Sequence, residues 1–437
     1  MLRGHLRSRS YLTKAVRKPW LSVSRIGWLG ALRDGAFPLA DQGLISGTNF
    51  LVVVLLARGA DPAELGMFAL IHAGLLFANS MQLALITQPF VFHSASRQGD
   101  EFSRYATRAA LSQLVLTGLA VAAVTAIAVV WYVVDSSSSR LVFLMVPAIV
   151  AWQLQEFTRR IRYVRGHTVS AFANDLIAYG GWAAGVALLW RLDRLTSTSA
   201  LVMLALAFGV AFVVAMRSLS PQMSLPVAGE RFAAFLSESW AFGRWLLGTT
   251  LAYWTAAQLF PFLTAVFVST ESTGAIRAAV TLMGPGYVIM QAVDTSYSPK
   301  AAKVFRLNGT AGLERIGRRI ALLTLPPVIA FSVVVISLPE WFLRTVYGEQ
   351  FQDYGYLAQA TAVSFVFAYI AQLFMVGLRA KGDGVSVFRG YLWSSAFVLT
   401  GGVLAVYFAG TEGAAFGIVA QSVILCLALG RRYFRSA

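Results

Sequence analysis

Three acids lie within long apolar runs of this sequence: Asp41, Asp175 and Asp294. A carboxylate in hydrocarbon is costly, so each needs a partner or a task. Two accounts stand side by side. Either the acids pair with nearby arginines and interfacial water, or one or two of them titrate as an ion-coupling site for H⁺ or Na⁺. Asp41 is the foremost candidate, since Asp41-Gln42-Gly43 opens its run among small residues. Arg58 and Arg277 are basic residues in comparably apolar surroundings. A guanidinium pairs bidentately with phosphate oxygens, which makes both candidates for holding an anionic headgroup. Snorkelling to lipid phosphates is the competing account. Arg159, Arg160, Arg162 and Arg165 form one basic cluster, and Arg379, Lys381 and Arg389 form another. Topology determination explains such clusters. Arg160 and Arg379 are the members taken as candidate substrate contacts.

Enzyme signatures are missing. No Gly-rich phosphate loop with a following Lys is present, which argues against an ATPase. His5, His72, His93 and His167 are scattered without metal-ligand spacing. Asp100-Glu101 is the sole adjacent acidic pair, so an Asp-rich diphosphate–Mg²⁺ motif is absent. The expectation is a non-enzyme with no cofactor and no metal. The single cysteine, Cys426, excludes an intrachain disulfide and reads as a small buried apolar residue.

The elements that must position these residues are membrane spans. Of 437 residues, 57% are hydrophobic and only 13% charged, with a mean hydropathy of +0.65. A soluble domain carries roughly 25% charge. Twelve apolar segments have about the length a hydrocarbon core requires. They are 37–57, 66–91, 111–134, 141–157, 171–190, 200–215, 241–268, 275–297, 320–336, 354–378, 391–409 and 412–429. With both termini in the cytoplasm, all but six of the 36 Lys and Arg residues fall on the inner side. The exceptions are Arg58, Arg140, Arg191, Arg194, Arg277 and Arg344. This asymmetry follows the positive-inside rule and accounts for the net charge of +16 without nucleic acid as a partner.

The fold class expected is therefore an all-α polytopic membrane protein. A basic interfacial segment (1–36) precedes a six-helix lobe (37–215). A polar cytoplasmic linker (216–240), a second six-helix lobe (241–429) and a basic tail (430–437) follow. Within 1–36, Trp20 to Leu32 reads as one apolar face of a short interfacial helix, with a disordered tail as the alternative for the first residues. The two lobes echo each other. Gly66 corresponds to Gly274, Pro89 to Pro299, and Arg108 to Arg318. Val169-Ser170-Ala171-Phe172 corresponds to Val385-Ser386-Val387-Phe388. Six spans per lobe make this a parallel repeat, of the kind that places a substrate site between lobes near the midplane. Gly284-Pro285-Gly286 and Pro326-Pro327 interrupt spans and are expected to kink them. Trp131, Trp190 and Trp341 are expected as interfacial anchors.

Two stretches carry a family likeness. One runs from Asp41-Gln42-Gly43-Leu44-Ile45-Ser46-Gly47-Thr48-Asn49-Phe50 through Ala57-Arg58-Gly59 and Gly66-Met67-Phe68 to Gln88-Pro89. The other is Trp152-Gln153-Leu154-Gln155-Glu156-Phe157-Thr158-Arg159-Arg160, continuing to Asp175. Together they resemble the polysaccharide-biosynthesis flippases of the multidrug/oligosaccharidyl-lipid/polysaccharide exporter superfamily. That resemblance implies two lobes alternating between inward- and outward-open states in a bacterial plasma membrane. It implies polyprenyl-diphosphate-linked oligosaccharide as the substrate, moved to the outer leaflet. H⁺ or Na⁺, membrane lipids and polysaccharide polymerase or assembly proteins are the further partners. It also implies roles for Arg58 and Asp41, and cavity arginines for the diphosphate, with Arg277 as the candidate. A small-molecule or multidrug cation antiporter of the same fold is the alternative. The major facilitator fold fits poorly, because its Gly-x3-Asp-Arg/Lys signature is not matched between the second and third spans. A structural partner in a polysaccharide-synthesis complex is the non-transport alternative.

Overall fold

The computed structural model describes residues 28–134, 136–219 and 230–435, which are helical apart from short turns. Helices predominate for a physical reason. In lipid each backbone N–H and C=O must bond internally, and a helix does this within one segment. The elements are α1 (Trp28–Gly59), α2 (Pro62–Ser94), α3 (Gly99–Val134), α4 (Ser136–Val164), α5 (168–191) and α6 (Ser197–Leu219). They continue with α7 (Glu230–Phe267), α8 (Thr270–Leu282), α9 (Gly284–Ser337), α10 (Pro339–Tyr347), α11 (Gly355–Ala380) and α12 (Gly384–Arg435). Eight helical runs among the described residues are long and apolar enough to cross a membrane. The chain is a multi-pass membrane protein.

Apart from 275–297, the expected spans fall inside these helices but for residues 268 and 354. The span 275–297 is divided between α8 and α9 at Met283, where one continuous span was expected. α12 carries two expected spans, and α9 carries 320–336 with the latter part of 275–297. Within α9 the backbone leaves helical geometry at Gly309 (φ 63°), and within α12 at Gly410 (φ 55°). The break expected at Gly284-Pro285-Gly286 falls at Met283, where α8 stops and Pro285 enters the first turn of α9. Pro suits that position because its missing N–H has no helical partner there anyway. Around Pro326-Pro327 the helical run continues, and the non-helical residue of α9 is Gly309 instead. Helices also occupy 216–219 and 230–240 of the segment read as a polar linker. Residues 220–229, and residues 1–27 of the basic N-terminal segment, lie outside the described ones.

Two turns share one solution. At Gly166 (φ 74°) the Gly166 and His167 amides donate to the Tyr163 and Arg162 carbonyls. At Gly382 (φ 80°) the Gly382 and Asp383 amides donate to the Arg379 and Leu378 carbonyls. Both are Schellman closures, which need a left-handed residue and so favour glycine. Asp383 then caps α12, accepting from the Ser386 amide at 3.0 Å. A hydrogen bond from the Ser386 side chain, with this amide bond adding to it, holds the Asp383 carboxyl below its usual value.

The first-half helices α1–α6 pack together, α7–α12 pack together, and a seam joins the two groups. The seam runs along α2, which lies against α7 and α8. Phe77 meets Trp254 edge-on, and Phe92 stacks on Phe242. At the α1–α2 end the helices close on glycine. A Cβ on Gly66 would lie 1.7 Å from the Thr270 carbonyl oxygen, and one on Gly274 2.2 Å from that of Pro62. Small residues permit this approach, and helix contact in lipid relies on such packing. We predict that Gly66→Ala or Gly274→Ala lowers stability by about 1–3 kcal/mol, since backbone cannot yield as a side chain does. Gly47, with nothing within 4 Å of a built Cβ, is the control. Thermal unfolding in detergent checks this; equal melting of all three variants would contradict it.

Candidate functional site

The helical spacing of α4 sets Gln155, Glu156, Arg159, Arg160 and Tyr163 within reach of one another, three or four residues apart. Asp41 on α1 and Asp175 on α5 complete the arrangement. Arg159 is its centre. Its Nε donates to Asp175 Oδ2 at 2.5 Å, its Nη1 to Glu156 Oε2 at 3.0 Å, and its Nη2 to Asp41 Oδ2. Tyr163 donates its hydroxyl to Asp41 Oδ2 at 2.7 Å. Gln155 Nε2 donates to Asp175 Oδ1 at 2.7 Å. Arg160 Nε donates to Glu156 Oε1 at 2.6 Å. The Asp175 side chain is 0% exposed and that of Asp41 3%.

Asp175 ends one helical segment and a π turn, 176–180, follows it. Such a turn loosens the regular backbone ladder and is frequent at functional sites. Here the freed Tyr179 carbonyl accepts from the Thr48 hydroxyl at 3.3 Å, tying α5 back to α1. Asn174 donates to the Ala211 carbonyl at 2.7 Å, which adds α6. The electrostatics are unequal. Three carboxylates face two guanidiniums, Arg159 and Arg160, and Asp41 Oδ1 has no hydrogen-bond partner.

The structure thus brings together two of the three acids singled out in the sequence, Asp41 and Asp175, through a residue that was not singled out. Arg160 was preferred over Arg159. The spacing of Arg159 from Glu156 was visible; its alignment with Asp41, 118 residues away, was not. Asp294 stands apart. It accepts from Gln372 at 2.8 Å and Ser298 at 3.2 Å, with Arg379 Nη1 at 3.8 Å. Arg379 is half exposed, so this pair is weak.

The two outlying arginines occupy the seam. Arg58 donates through Nε to the Val346 carbonyl at 2.9 Å and through Nη2 to that of Thr345, holding α1 to α10. Gln350 repeats the link, donating to the Ala57 carbonyl at 2.5 Å. Arg277 on α8 is more enclosed. Its Nη2 stands 3.5 Å from His72 Nδ1, and its Nε is buried without a partner. His72 is itself buried among Phe68, Trp152 and Trp182. No carboxylate among the described residues pairs with Arg277.

Solved structures share this architecture. The lipid II flippase MurJ, in an inward closed conformation, superposes with a TM-score of 0.68 at 13% identity, over 91% of this chain and 87% of that one. An inward-facing multidrug resistance MATE family transporter of the MOP superfamily gives 0.67 at 13% identity, over 89% and 93%. A MOP superfamily transporter from Pyrococcus furiosus, described by the reverse polarity of its binding pocket, gives 0.62 at 12% identity, over 93% and 94%. No family model matches the chain, and no curated protein matches it. The chain has the fold of MOP superfamily transporters.

Arg159 and Arg160 should behave differently. Arg159→Ala leaves Asp41, Asp175 and Glu156 without their common partner, a loss of about 3–5 kcal/mol for a broken buried pair. Arg160→Ala, at a side chain one-third exposed, should cost no more than about 1 kcal/mol. Denaturant unfolding of the two variants in detergent checks this. Equal stabilities would show that Arg159 is not the centre of the network.

Proposed function

We propose that the protein is an alternating-access flippase. It moves polyprenyl-diphosphate-linked oligosaccharide from the inner to the outer leaflet of a bacterial plasma membrane, for polysaccharide biosynthesis. On this reading the chain has twelve spans in two six-helix lobes related by a parallel repeat, with both termini in the cytoplasm. The observation that carries the reading is Arg277. A buried guanidinium with an unpartnered Nε and no acid lies at the seam between the two halves, where a diphosphate would supply the missing charge. Arg58, on the same seam, is the second contact. Arg160 and Arg379 belong to the inner surface, where they would meet the headgroup on entry.

The energetics are favourable. A diphosphate linkage carries about two negative charges, and an inside-negative potential drives them outward by ~2.3 kcal/mol per charge per 100 mV. The sugars need a wet passage, while the lipid tail stays in the bilayer at the gap between halves. The excess carboxylate around Arg159 is what H⁺ or Na⁺ would neutralise, so Asp41 and Asp175 are the proposed coupling acids. Asp294, in the second half, is a further proposed coupling acid. The same excess favours a second reading, a cation antiporter of the same fold, because a negative pocket attracts a cationic substrate. Polymerase or assembly proteins are the expected partners of the flippase.

Labelled lipid-linked oligosaccharide in cells lacking the gene provides the test. Accumulation on the cytoplasmic face, with loss of surface polysaccharide, is expected. Normal sidedness with greater sensitivity to cationic drugs would favour the antiporter. Arg277→Ala should insert normally and abolish flipping, with partial activity in Arg277→Lys; full activity of the Ala variant would remove Arg277 from the site. Asp41→Asn should uncouple transport from pH or Na⁺, and an unchanged ion dependence would leave Asp41 as a structural pair.

A further inference from the structure

A second basic site lies at the opposite end of the seam, where α2 turns into α3. A cavity of about 390 Å³ is enclosed there by one face of α3 and the start of α7. Its two acids already have partners. Glu238 on α7 meets His93 at 3.0 Å and Arg97 at 3.8 Å, and Glu101 meets Arg97 at 3.4 Å. Its other two arginines do not. Arg104 and Arg108 stand one turn apart on α3, both lining the cavity, with no acidic partner among the described residues. Arg108 Nε is buried and makes no hydrogen bond.

Between them lies Tyr105, 3% exposed, whose hydroxyl also has no partner. Its ring is held from several sides. Phe90 stacks on it at 6.1 Å, Phe235 meets it edge-on at 5.1 Å, and the Arg97 guanidinium sits 4.1 Å from its centroid. An unpaired hydroxyl in a fixed ring is a cost to the folded chain unless something accepts its proton. The buried Nε of Arg108 has the same need, and the exposed Arg104 sets a second guanidinium at the mouth of the cavity. An anion with several oxygens meets all three, and Arg forks match phosphate geometry.

We infer that this crevice between α3 and α7 binds a phosphate-class anion through Arg104, Tyr105 and Arg108. The site is separate from Arg277 and does not depend on the flippase reading. The anion is either a phosphate diester in the headgroup of an anionic lipid or a soluble phosphate. All three contacts lie on α3 of the first half, and α7 of the second half lines the crevice with Phe235 and Glu238.

The experiment uses the purified full chain and three variants: Arg104→Gln/Arg108→Gln, Tyr105→Phe, and Arg315→Gln/Arg319→Gln. The last pair has the same spacing at another basic recess and serves as the control. Thermal unfolding is followed with inorganic phosphate against an equal concentration of chloride. Lipid adducts are counted by native mass spectrometry from nanodiscs of phosphatidylcholine with or without phosphatidylglycerol. The inference expects stabilisation by one of these ligands in the wild type and the control. It expects binding weakened tenfold or more in the double α3 variant and several-fold in Tyr105→Phe, whose ring packing is intact. Phosphate stabilisation identifies a soluble ligand, and retained phosphatidylglycerol without it identifies a headgroup. Loss of binding in the control equal to that in the α3 variants, or no binding of either ligand by the wild type, overturns the site.

Discussion

A charge in hydrocarbon must find its counter-charge within the protein, and Arg159 is where this chain meets that constraint. One guanidinium reaches Asp41 on α1, Glu156 on its own helix and Asp175 on α5. The α1–α5 contact that follows is reinforced by Thr48 and Tyr179, and Asn174 extends it to α6. Four helices of the first half are thus oriented by polar bonds, in a medium where apolar contact alone distinguishes poorly between one helix rotation and another. A buried pair of this kind is weak grounds for net stability, because desolvation offsets its attraction. Its effect is to make the alternatives costly.

The seam between the halves follows a different logic. Gly66 and Gly274 bring α2 and α8 to backbone contact at one end, so shape rather than charge decides the fit there. Arg58 and Gln350 then bond to main-chain carbonyls across the same end. Such bonds exchange readily for water or for other acceptors, while a glycine contact carries little side-chain reorganisation when it parts. The α2–α7 side instead carries one edge-on and one stacked aromatic pair, with the His93–Glu238 pair at the other end.

Arginines without acids mark both ends of this seam. Arg277 faces the imidazole of His72, and Arg104 and Arg108 line a cavity. Arg97, by contrast, has two carboxylates and the face of Tyr105. Unpaired buried donors such as Arg277 Nε and Arg108 Nε are expensive in a folded chain.

Much of the fold was legible in the sequence, because hydropathy over a span and the charge of its flanks are local properties. Most expected spans coincide with helices, while the matching turns at Gly166 and Gly382, just before the stretches 169–172 and 385–388 that echo each other, appeared only in the structure. The sequence pairs Gly66 with Gly274 as echoing positions; that they touch was not readable in it. The polar residues of the site were visible as rare charges in apolar runs. Which arginine served them was not, since Arg159 and Arg160 differ only by the 100° that one residue turns on a helix. The sequence by itself determined that this chain crosses a membrane many times as helices, because lipid leaves the backbone no other option. Only the tertiary structure decided which charges meet, because helix rotation and crossing are set by packing between segments distant in the chain.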